Sequence, residues 1–283
     1  MGGNGLSIMG ASVAAPLEAA ARRPLADYTR VATTGLALAA ATPVFMVVAG
    51  LLAGQSLGDD LVFYGGTAAL GAVGALAVWR LGTAGKVAGI LVSVLMGLAL
   101  FWTAFGLTVP AAFADFVAGA MLPLGVLMGL GGSIAALVAG RRGRTNAGAT
   151  ERRVLRAAFA VLALAVVGSG IASVLGRTTV PEAAATSATA VGMQDFEFTV
   201  AEGPLQVAAG EPTSLLLHNS DAFVHDFAIP AIGLEAVLVL PGSDQLVELN
   251  APAGSYTAYC TLHSDMSVED PQEAGMALTV IAR

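Results

Sequence analysis

The stretch Pro252–Met266, PAGSYTAYCTLHSDM, combines a tight turn, an alternating strand and several potential metal ligands. Proline and glycine mark the turn, and the alternation that follows places Tyr256, Ala258 and Cys260 on one face of a strand. Cys260 is the only cysteine of the chain, and His263 follows it three residues later. The stretch therefore predicts a β-strand that runs into a ligand-bearing loop.

The last third of the chain has the composition of a β-domain. From Gln194 onward, short runs rich in β-branched and aromatic residues are separated by Gly, Pro, Asn and Asp. This spacing predicts a small antiparallel sandwich with a single core. The predicted strands are Asp195–Val200, Leu205–Ala208, Thr213–Asn219, His225–Ile229, Gln245–Leu249, Ser255–Cys260 and Ala277–Ala282.

Further candidate ligands lie on both sides of the cysteine. His225 begins a predicted strand 35 residues before Cys260, and Met266 and Met276 follow His263. One thiolate, two imidazoles and a weak thioether form the ligand set of blue-copper sites. Thiolate and thioether favour Cu(I), and imidazole also accepts Cu(II). The set therefore suits the transfer of single electrons.

At these residues the sequence resembles the cupredoxins, the type 1 blue-copper proteins that include plastocyanin and amicyanin. Tyr259–His263 is similar to their Cys-x-x-His loop. Asn219–Phe227 resembles the segment that bears their first histidine, and Ala274–Val280 is similar to the Gly-Met that opens their closing strand. The resemblance covers about residues 194–283, and the order of the three motifs makes it specific.

The resemblance implies a Greek-key sandwich that binds one copper ion, cycling between Cu(I) and Cu(II). The implied ligands are His225, Cys260, His263 and a methionine. It also implies that Asn219 hydrogen-bonds across to the cysteine loop, and that electrons enter and leave through His263. Each ligand has a purely structural alternative, such as an inert core thiol at Cys260 or a satisfied histidine at His225.

Two methionines could serve as the fourth ligand, because this loop is longer than the usual cupredoxin loop. Met266 has the amicyanin-like spacing from His263, whereas Met276 has the usual position relative to the final strand. A strand end is held more rigidly than a loop, so Met276 is favoured and Met266 remains the alternative. The third histidine, His218, lies inside a predicted strand with no ligand partner nearby in the motif, and it is interpreted as structural.

The rest of the chain is too apolar for a soluble domain. Of the 283 residues, 56% are hydrophobic and 12% are charged, whereas about 25% are charged in soluble proteins. Uncharged runs predict a bundle of five transmembrane helices within residues 31–177. The predicted spans are approximately residues 32–54, 61–79, 87–114, 116–140 and 157–176.

The predicted domains follow from these runs. Residues 1–30 form a poorly ordered cytoplasmic segment, residues 178–191 a flexible linker, and residues 192–283 the cupredoxin-like domain. Small residues such as Gly65-Gly66 and Gly129–Gly132 are expected to allow close packing between helices.

Basic residues predict the orientation of the bundle. With the N-terminus inside, 11 of the 13 Lys and Arg residues lie on the cytoplasmic side of the five spans. The chain is thus predicted to be a multi-pass protein of the cell membrane, with its C-terminal domain extracellular or periplasmic. Asp115 falls at the outer end of a predicted span. No histidine lies in any predicted span, which excludes bis-histidine haem ligation there.

The charge of the C-terminal part limits its partners. Residues 178–283 contain 14 acidic residues and one basic residue, Arg283. Nucleic acid is therefore excluded, and a redox or copper-exchange partner with a basic docking patch is favoured beside the lipid bilayer. The chain shows no Ser/His/Asp set and no phosphate loop, so an electron carrier is predicted rather than an enzyme. The alternatives are copper capture or delivery to a membrane oxidase, and a metal-free interaction domain.

Overall fold

The computed structural model describes residues 28–56, 58, 60–141, 148–264 and 275–283. Helices make up the N-terminal part of these residues, and two β-sheets make up the C-terminal part. The predicted poorly ordered segment lies outside the described residues up to position 27. The first helix begins at Thr29, within the last residues of that segment.

The helices follow one another with short connections. They are α1 (Thr29–Leu52), α2 (Asp60–Arg80), α3 (Gly82–Leu98), α4 (Leu100–Ala104), a 3-10 turn (Phe105–Thr108), α5 (Phe113–Arg141), α6 (Gly148–Leu175) and the short α7 (Glu182–Ser187). Among the described residues, four helices are long and apolar enough to cross a membrane, namely α1, α2, α5 and α6. The prediction of five single-helix spans is therefore correct for four of them.

The third predicted span differs, because it is divided into three helical pieces. Helix α3 has 17 residues, which at 1.5 Å per residue is about 25 Å, short of the roughly 30 Å of a bilayer core. It ends where the N–H of Ala99 donates to the carbonyl of Met96, an i to i−3 bond that tightens the last turn. The chain then continues through α4 and the 3-10 turn, where Phe105 reaches a cavity against the β-domain. The three pieces together make the third passage through the bundle.

Helices α1 and α5 pack closely because glycines remove side chains from their contact. A Cβ atom on Gly35 would lie 2.4 Å from the backbone nitrogen of Gly129, and one on Gly132 would lie 2.5 Å from the backbone of α1. The predicted role of the Gly129–Gly132 stretch is therefore confirmed. The prediction was wrong for Gly65-Gly66, because a Cβ atom there would meet no other group within 4 Å.

Helix α6 exposes much of its apolar surface. Leu164 is 73% exposed and Leu175 is 79% exposed. Contiguous apolar surface of this kind is unfavourable in water and compatible with lipid.

The β-domain consists of two sheets packed against each other. Its strands are β1 (Thr189–Gln194), β2 (Glu197–Thr199), β3 (Leu205–Val207), β4 (Thr213–Asn219), β5 (His225–Ile229), β6 (Leu234–Val239), β7 (Ser243–Leu249), β8 (Gly254–Ser264) and β9 (Gly275–Ala282). One sheet has the order β2-β1-β4-β7, and the other has the order β3-β9-β8-β5-β6. The pairs β1–β4 and β3–β9 are parallel. The predicted all-antiparallel arrangement was wrong for these pairs, because their strands are distant in sequence and join by long crossovers.

The first predicted strand, Asp195–Val200, is in fact a hairpin turn followed by β2. Asp195 and Phe196 have φ angles of 55° and 59°, which ends β1 and reverses the chain. Strand β1 starts at Thr189, inside the predicted linker, because Val191 and Met193 alternate into the core with no exposed surface. The sandwich therefore begins at Thr189 rather than at residue 192.

Both sheets contribute to one core. Phe198 of β2 and Phe227 of β5 come from opposite sheets and meet edge to face, with ring centroids 5.4 Å apart. Burying a large apolar side chain stabilises a fold by about 1.5–3 kcal/mol. Strand β5 is buried along its whole length, between β6 and β8. This strand carries His225 into the interior at one end of the sandwich.

Candidate metal centre

Three of the predicted ligands lie together at that end of the sandwich. The Nδ1 atoms of His225 and His263 are 3.1 Å apart. The Sγ atom of Cys260 lies 3.3 Å from Nδ1 of His263 and 3.8 Å from Nδ1 of His225. Ligands that sit about 2.0–2.3 Å from one metal ion are themselves about 3–4 Å apart. The three side chains can therefore hold a single metal ion.

The cysteine loop takes its shape from a mismatch between β8 and β9. Tyr259 pairs with Ala277, and Ser264 pairs with Gly275, so residues 260–263 lie opposite Met276 alone. The extra residues bend β8 outward, as in a large bulge. This bend brings Cys260 and His263 to the same side although they are three positions apart.

A buried carboxylate orients the first histidine. Nε2 of His225 lies 2.7 Å from Oδ2 of Asp221, and neither side chain has exposed surface. The hydrogen bond places the ring proton on Nε2 and leaves the lone pair of Nδ1 directed at Cys260 and His263. Burial alone would raise the pKa of the Asp221 carboxyl, but hydrogen bonds from His225 and from the N–H groups of Phe196 and Asp195 outweigh it and lower the pKa. The role of Asp221 was not predicted from the sequence, although a carboxylate four residues before a candidate ligand is a usable signal.

A second carboxylate restrains the cysteine loop. The N–H of Asp226 lies 3.4 Å from Sγ of Cys260, and its side chain accepts hydrogen bonds from the N–H and hydroxyl of Thr261. This is the role predicted for Asn219, and that prediction was wrong. The amide of Asn219 instead donates to the carbonyls of Phe223 and Val239, because Asn219 is buried at the base of the turn that leads to His225.

The ring of Phe196 covers both imidazoles. It meets the ring of His263 edge to face at 5.0 Å and that of His225 at 5.6 Å. A positive φ is unusual for a bulky residue and costs energy. The two carboxylate oxygens of Asp221 hold this turn by accepting from the N–H groups of Asp195 and Phe196, at 2.8 and 3.1 Å. One aspartate thus fixes a histidine ligand and the aromatic ring beside it.

Burial favours the uncharged forms of Cys260 and His263. It raises the pKa of the Cys260 thiol to about 12 and lowers the pKa of His263 to about 3. Burial also raises the pKa of the Asp226 carboxyl, against the hydrogen bonds from Thr261. A neutral imidazole is the form that binds metal, and a metal that binds the thiol displaces its proton.

The other predicted residues have different positions. Met276 is buried, with 1% exposed surface, and belongs to the same core as Cys260. Met266 lies outside the described residues. His218 is away from the cluster, where its Nδ1 lies 2.6 Å from Oδ1 of Asp244 on the surface.

Of two recesses formed by the described residues of the sandwich, the smaller one touches the cluster. A shallow groove of about 580 Å³ runs between β2, β3 and β9 past Phe198 and Thr279, away from His225, Cys260 and His263. A cavity of about 70 Å³ lies beside His263, between the sandwich and the helices. The smaller cavity is the one relevant to the chemistry, because it adjoins an imidazole of the cluster.

Residues 158–268 match the family model of the cupredoxin-like domain. The match begins inside α6 and ends before β9, whereas the resemblance in the sequence covers about residues 194–283. The C-terminal part of the chain is thus a cupredoxin-like domain, which confirms the resemblance. No match was found among curated proteins.

Solved structures with some similarity to this chain include an amicyanin and chains from two oxidase-related complexes. A reduced amicyanin variant is 18% identical over 37% of this chain and 86% of its own, with a TM-score of 0.25. A chain from a complex of a thioredoxin-like protein with subunit II of cytochrome c oxidase is 17% identical over 37% and 86%, with a TM-score of 0.26. A chain of a haem-copper terminal oxidase dimer is 16% identical with a TM-score of 0.25, over 34% of this chain and only 60% of its own. At these values the likenesses establish neither a shared activity nor shared partners.

The Asp221–His225 pair leads to a prediction. Replacing Asp221 with alanine leaves the buried Nε2 proton of His225 unpaired and frees the ring to rotate. Losing a partner of this kind typically lowers metal affinity by about 10–100-fold. We therefore expect the copper dissociation constant of the full-length Asp221→Ala protein to rise by about 10–100-fold, measured by competition with a chelator.

The matched control is Asp244→Ala, which removes the carboxylate beside the exposed His218. It should leave copper affinity unchanged. Equal affinities for both variants and the unmodified chain would contradict the assigned role of Asp221.

Proposed function

We propose that the chain is a membrane-anchored blue-copper protein that passes single electrons on the outer face of the membrane. The observation that carries the proposal is the triangle of one sulfur and two nitrogen atoms at His225, Cys260 and His263, with sides of 3.1–3.8 Å. An ion held here would supply a one-electron Cu(II)/Cu(I) couple.

The donor set fits a copper ion. In blue-copper sites one thiolate and two imidazoles bind the ion in a trigonal arrangement, and a thioether binds weakly along the axis. The nearby carboxylates of Asp221 and Asp226 are occupied by hydrogen bonds from His225 and Thr261. They orient the ligands rather than add hard oxygen donors. Because Asp221, Asp226 and Phe196 restrain the ligand rings and the loop, little rearrangement is expected when the charge at the site changes.

The apolar helices support the membrane anchor. The ends of α1 and α6 and the first turn of α5 all lie near the sandwich, as Ser56, Asp115 and Thr178 make hydrogen bonds to it. The basic residues Arg80 and Lys86 lie at the opposite end of the helices. With basic residues inside, the sandwich is extracellular or periplasmic.

The acidic surface supports a charged partner. Residues 178–283 carry 14 acidic side chains, so a redox partner with a basic patch would be steered toward the domain. We propose that the domain exchanges electrons with such a partner and carries out no bond chemistry of its own.

The test of this function is a copper titration of the full chain in detergent. An electron carrier should bind one copper ion, show an intense thiolate-to-copper band, and cycle reversibly without losing the metal. Rapid transfer of Cu(I) to an acceptor chelator, without reversible cycling, would instead favour copper delivery. Failure to bind copper at all would leave a metal-free interaction domain.

The axial ligand has its own test. Met276 is buried opposite the cysteine loop, so we propose it as the axial ligand. A Met276→Leu substitution conserves volume but removes the axial donor, and the more highly charged Cu(II) loses more from a missing donor than Cu(I) does. We expect the midpoint potential to rise in this variant and to stay the same in Met266→Leu. The reverse pattern would assign the axial position to Met266.

A further inference from the structure

The end of the sandwich that carries the cluster lies against the helices. The N–H of Val224, next to His225, donates to Oδ2 of Asp115 in the first turn of α5, at 2.8 Å. The N–H of Ser56, just beyond α1, donates to Oδ1 of Asp195, at 2.6 Å. Both contacts adjoin the metal centre, because Val224 precedes a ligand and Asp195 precedes the ring that covers two ligands.

Between these contacts helix residues lie beside His263, which is half-buried. Nδ1 of His263 faces Cys260, and the residue also lines the cavity of about 70 Å³ shared with Met46, Thr103 and Asp115. A water molecule needs about 10–15 Å³ of such space, so the cavity admits a few water molecules and not a folded protein. The helices thus restrict the approach to this side of the imidazole.

A third contact shortens the free segment of chain between the helices and the sandwich. The carbonyl of Thr178 accepts from the N–H of Asp244 at 2.9 Å, and the hydroxyl of Thr178 donates to the carbonyl of Asp244 at 2.7 Å. Thr178 follows α6 by only three residues. The chain is therefore bonded to the sandwich almost as soon as it leaves the helix, which opposes free rotation of the domain.

Asp115 is held in place by the turn that precedes it. A Cβ atom on Gly106 would lie 2.2 Å from the backbone oxygen of Asp115, so the 3-10 turn packs directly on this backbone. Ionisable residues in apolar helices are costly and commonly serve a function. Asp115 plays no part in the metal centre, and its described hydrogen bond to another element is the one to Val224.

We propose that these helix ends form a docking surface for the sandwich that closes the His263 edge of the cluster. The Asp115–Val224 hydrogen bond is its main contact. Redox exchange through His263 is then closed to soluble proteins. It is open to a partner embedded in the membrane that contacts the helices beside the cavity. The inference rests on the proposed function for its redox consequence, but the docking surface itself does not require copper.

The redox test compares Asp115→Ala with Asp115→Asn in the full chain, because asparagine keeps an acceptor oxygen. Glu248→Ala removes an exposed carboxylate elsewhere on the sandwich and is the charge control. The copper-loaded, reduced proteins are mixed with a soluble basic cytochrome c and, separately, with ferricyanide. Removing the acceptor of a buried N–H group shifts an equilibrium by about tenfold or more. We expect Asp115→Ala to react with the cytochrome about tenfold faster, with Asp115→Asn and Glu248→Ala near the unmodified rate.

Two outcomes would overturn the proposal. One is an unchanged rate with the cytochrome in Asp115→Ala. The other is an equal acceleration with the small reagent ferricyanide, which would indicate an altered potential rather than an uncovered imidazole.

A copper-free test separates this proposal from the proposed function. Hydrogen exchange of the peptide that contains Val224 should be faster in copper-free Asp115→Ala, while exchange in β4 stays the same. Equal exchange rates at Val224 in the variant and the unmodified chain would show that the Asp115–Val224 contact does not protect this end of the sandwich, and would contradict the proposed docking surface. If exchange rises but the chain binds no copper, the docking surface stands and the electron-carrier function fails.

Discussion

The Cys260→Ser substitution is expected to eliminate the intense visible absorption of the copper-loaded chain. This band requires a thiolate bound to Cu(II), and Cys260 is the only cysteine in the sequence. Its sulfur lies within 3.8 Å of both imidazole nitrogens, so the remaining ligands are two histidines and a weak thioether. We expect complete loss of the band and a large fall in copper affinity, measured by titration of the full chain in detergent.

The control for this prediction is His218→Ala, which removes a histidine that lies outside the cluster. Its spectrum and copper stoichiometry should match those of the unmodified chain. Cys260 has no exposed surface, and an unpaired hydroxyl there costs about 1–3 kcal/mol. The fold of Cys260→Ser should therefore be checked by hydrogen exchange without copper. A folded variant that keeps the band would exclude Cys260 as a ligand and leave it an inert core thiol.

The Phe227→Ala substitution should cause the largest loss of stability in the sandwich. Phe227 is fully buried, packs edge to face on Phe198, and lies two residues from His225 on β5. Truncation of a buried phenylalanine typically costs about 3–5 kcal/mol, from lost burial and the cavity that remains. This is a large part of the 5–15 kcal/mol that stabilises an ordinary domain. Hydrogen exchange of the β-strands in the copper-free full chain measures the change.

The matched control is Leu246→Ala on β7, where the side chain is 39% exposed and contributes less to the core. Its strands should exchange at rates close to those of the unmodified protein. If Phe227→Ala has no greater effect than Leu246→Ala, the contact between the two sheets does not stabilise the domain as the structure implies.

The grouping of His225, Cys260 and His263 was predictable from the sequence, because each residue belongs to a short local motif. Cys260 and His263 share one loop, and His225 follows a turn rich in Asn and Asp. A metal centre needs sulfur and nitrogen donors of particular types, so their presence in order is informative even without distances. The orienting carboxylates were not predicted, because Asp221 and Asp226 look like ordinary polar residues of a turn and a strand end. Only the pairing of β5 with β8 brings Asp226 to Thr261.

The incorrect predictions of the fold have a similar origin. The run Asp195–Val200 has strand propensity, but its first two residues adopt left-handed conformations that Asp221 stabilises from 25 and 26 residues away. Residues 87–114 form one uncharged run, and hydropathy alone does not reveal the break at Ala99. Local pattern gives the type of element, whereas such turns and breaks depend on contacts made elsewhere.

The sequence by itself determined an apolar helical part, an acidic β-sandwich, and a set of sulfur and nitrogen donors, since composition, periodicity and residue type express these directly. Tertiary structure alone decided which carboxylate orients His225, which ring covers the imidazoles, and that Asp115 of a helix bonds to the sandwich beside His225. The physical reason is that Asp115 and Val224 are 109 residues apart. A hydrogen bond over that separation depends on how two folded parts meet, and no local pattern encodes it.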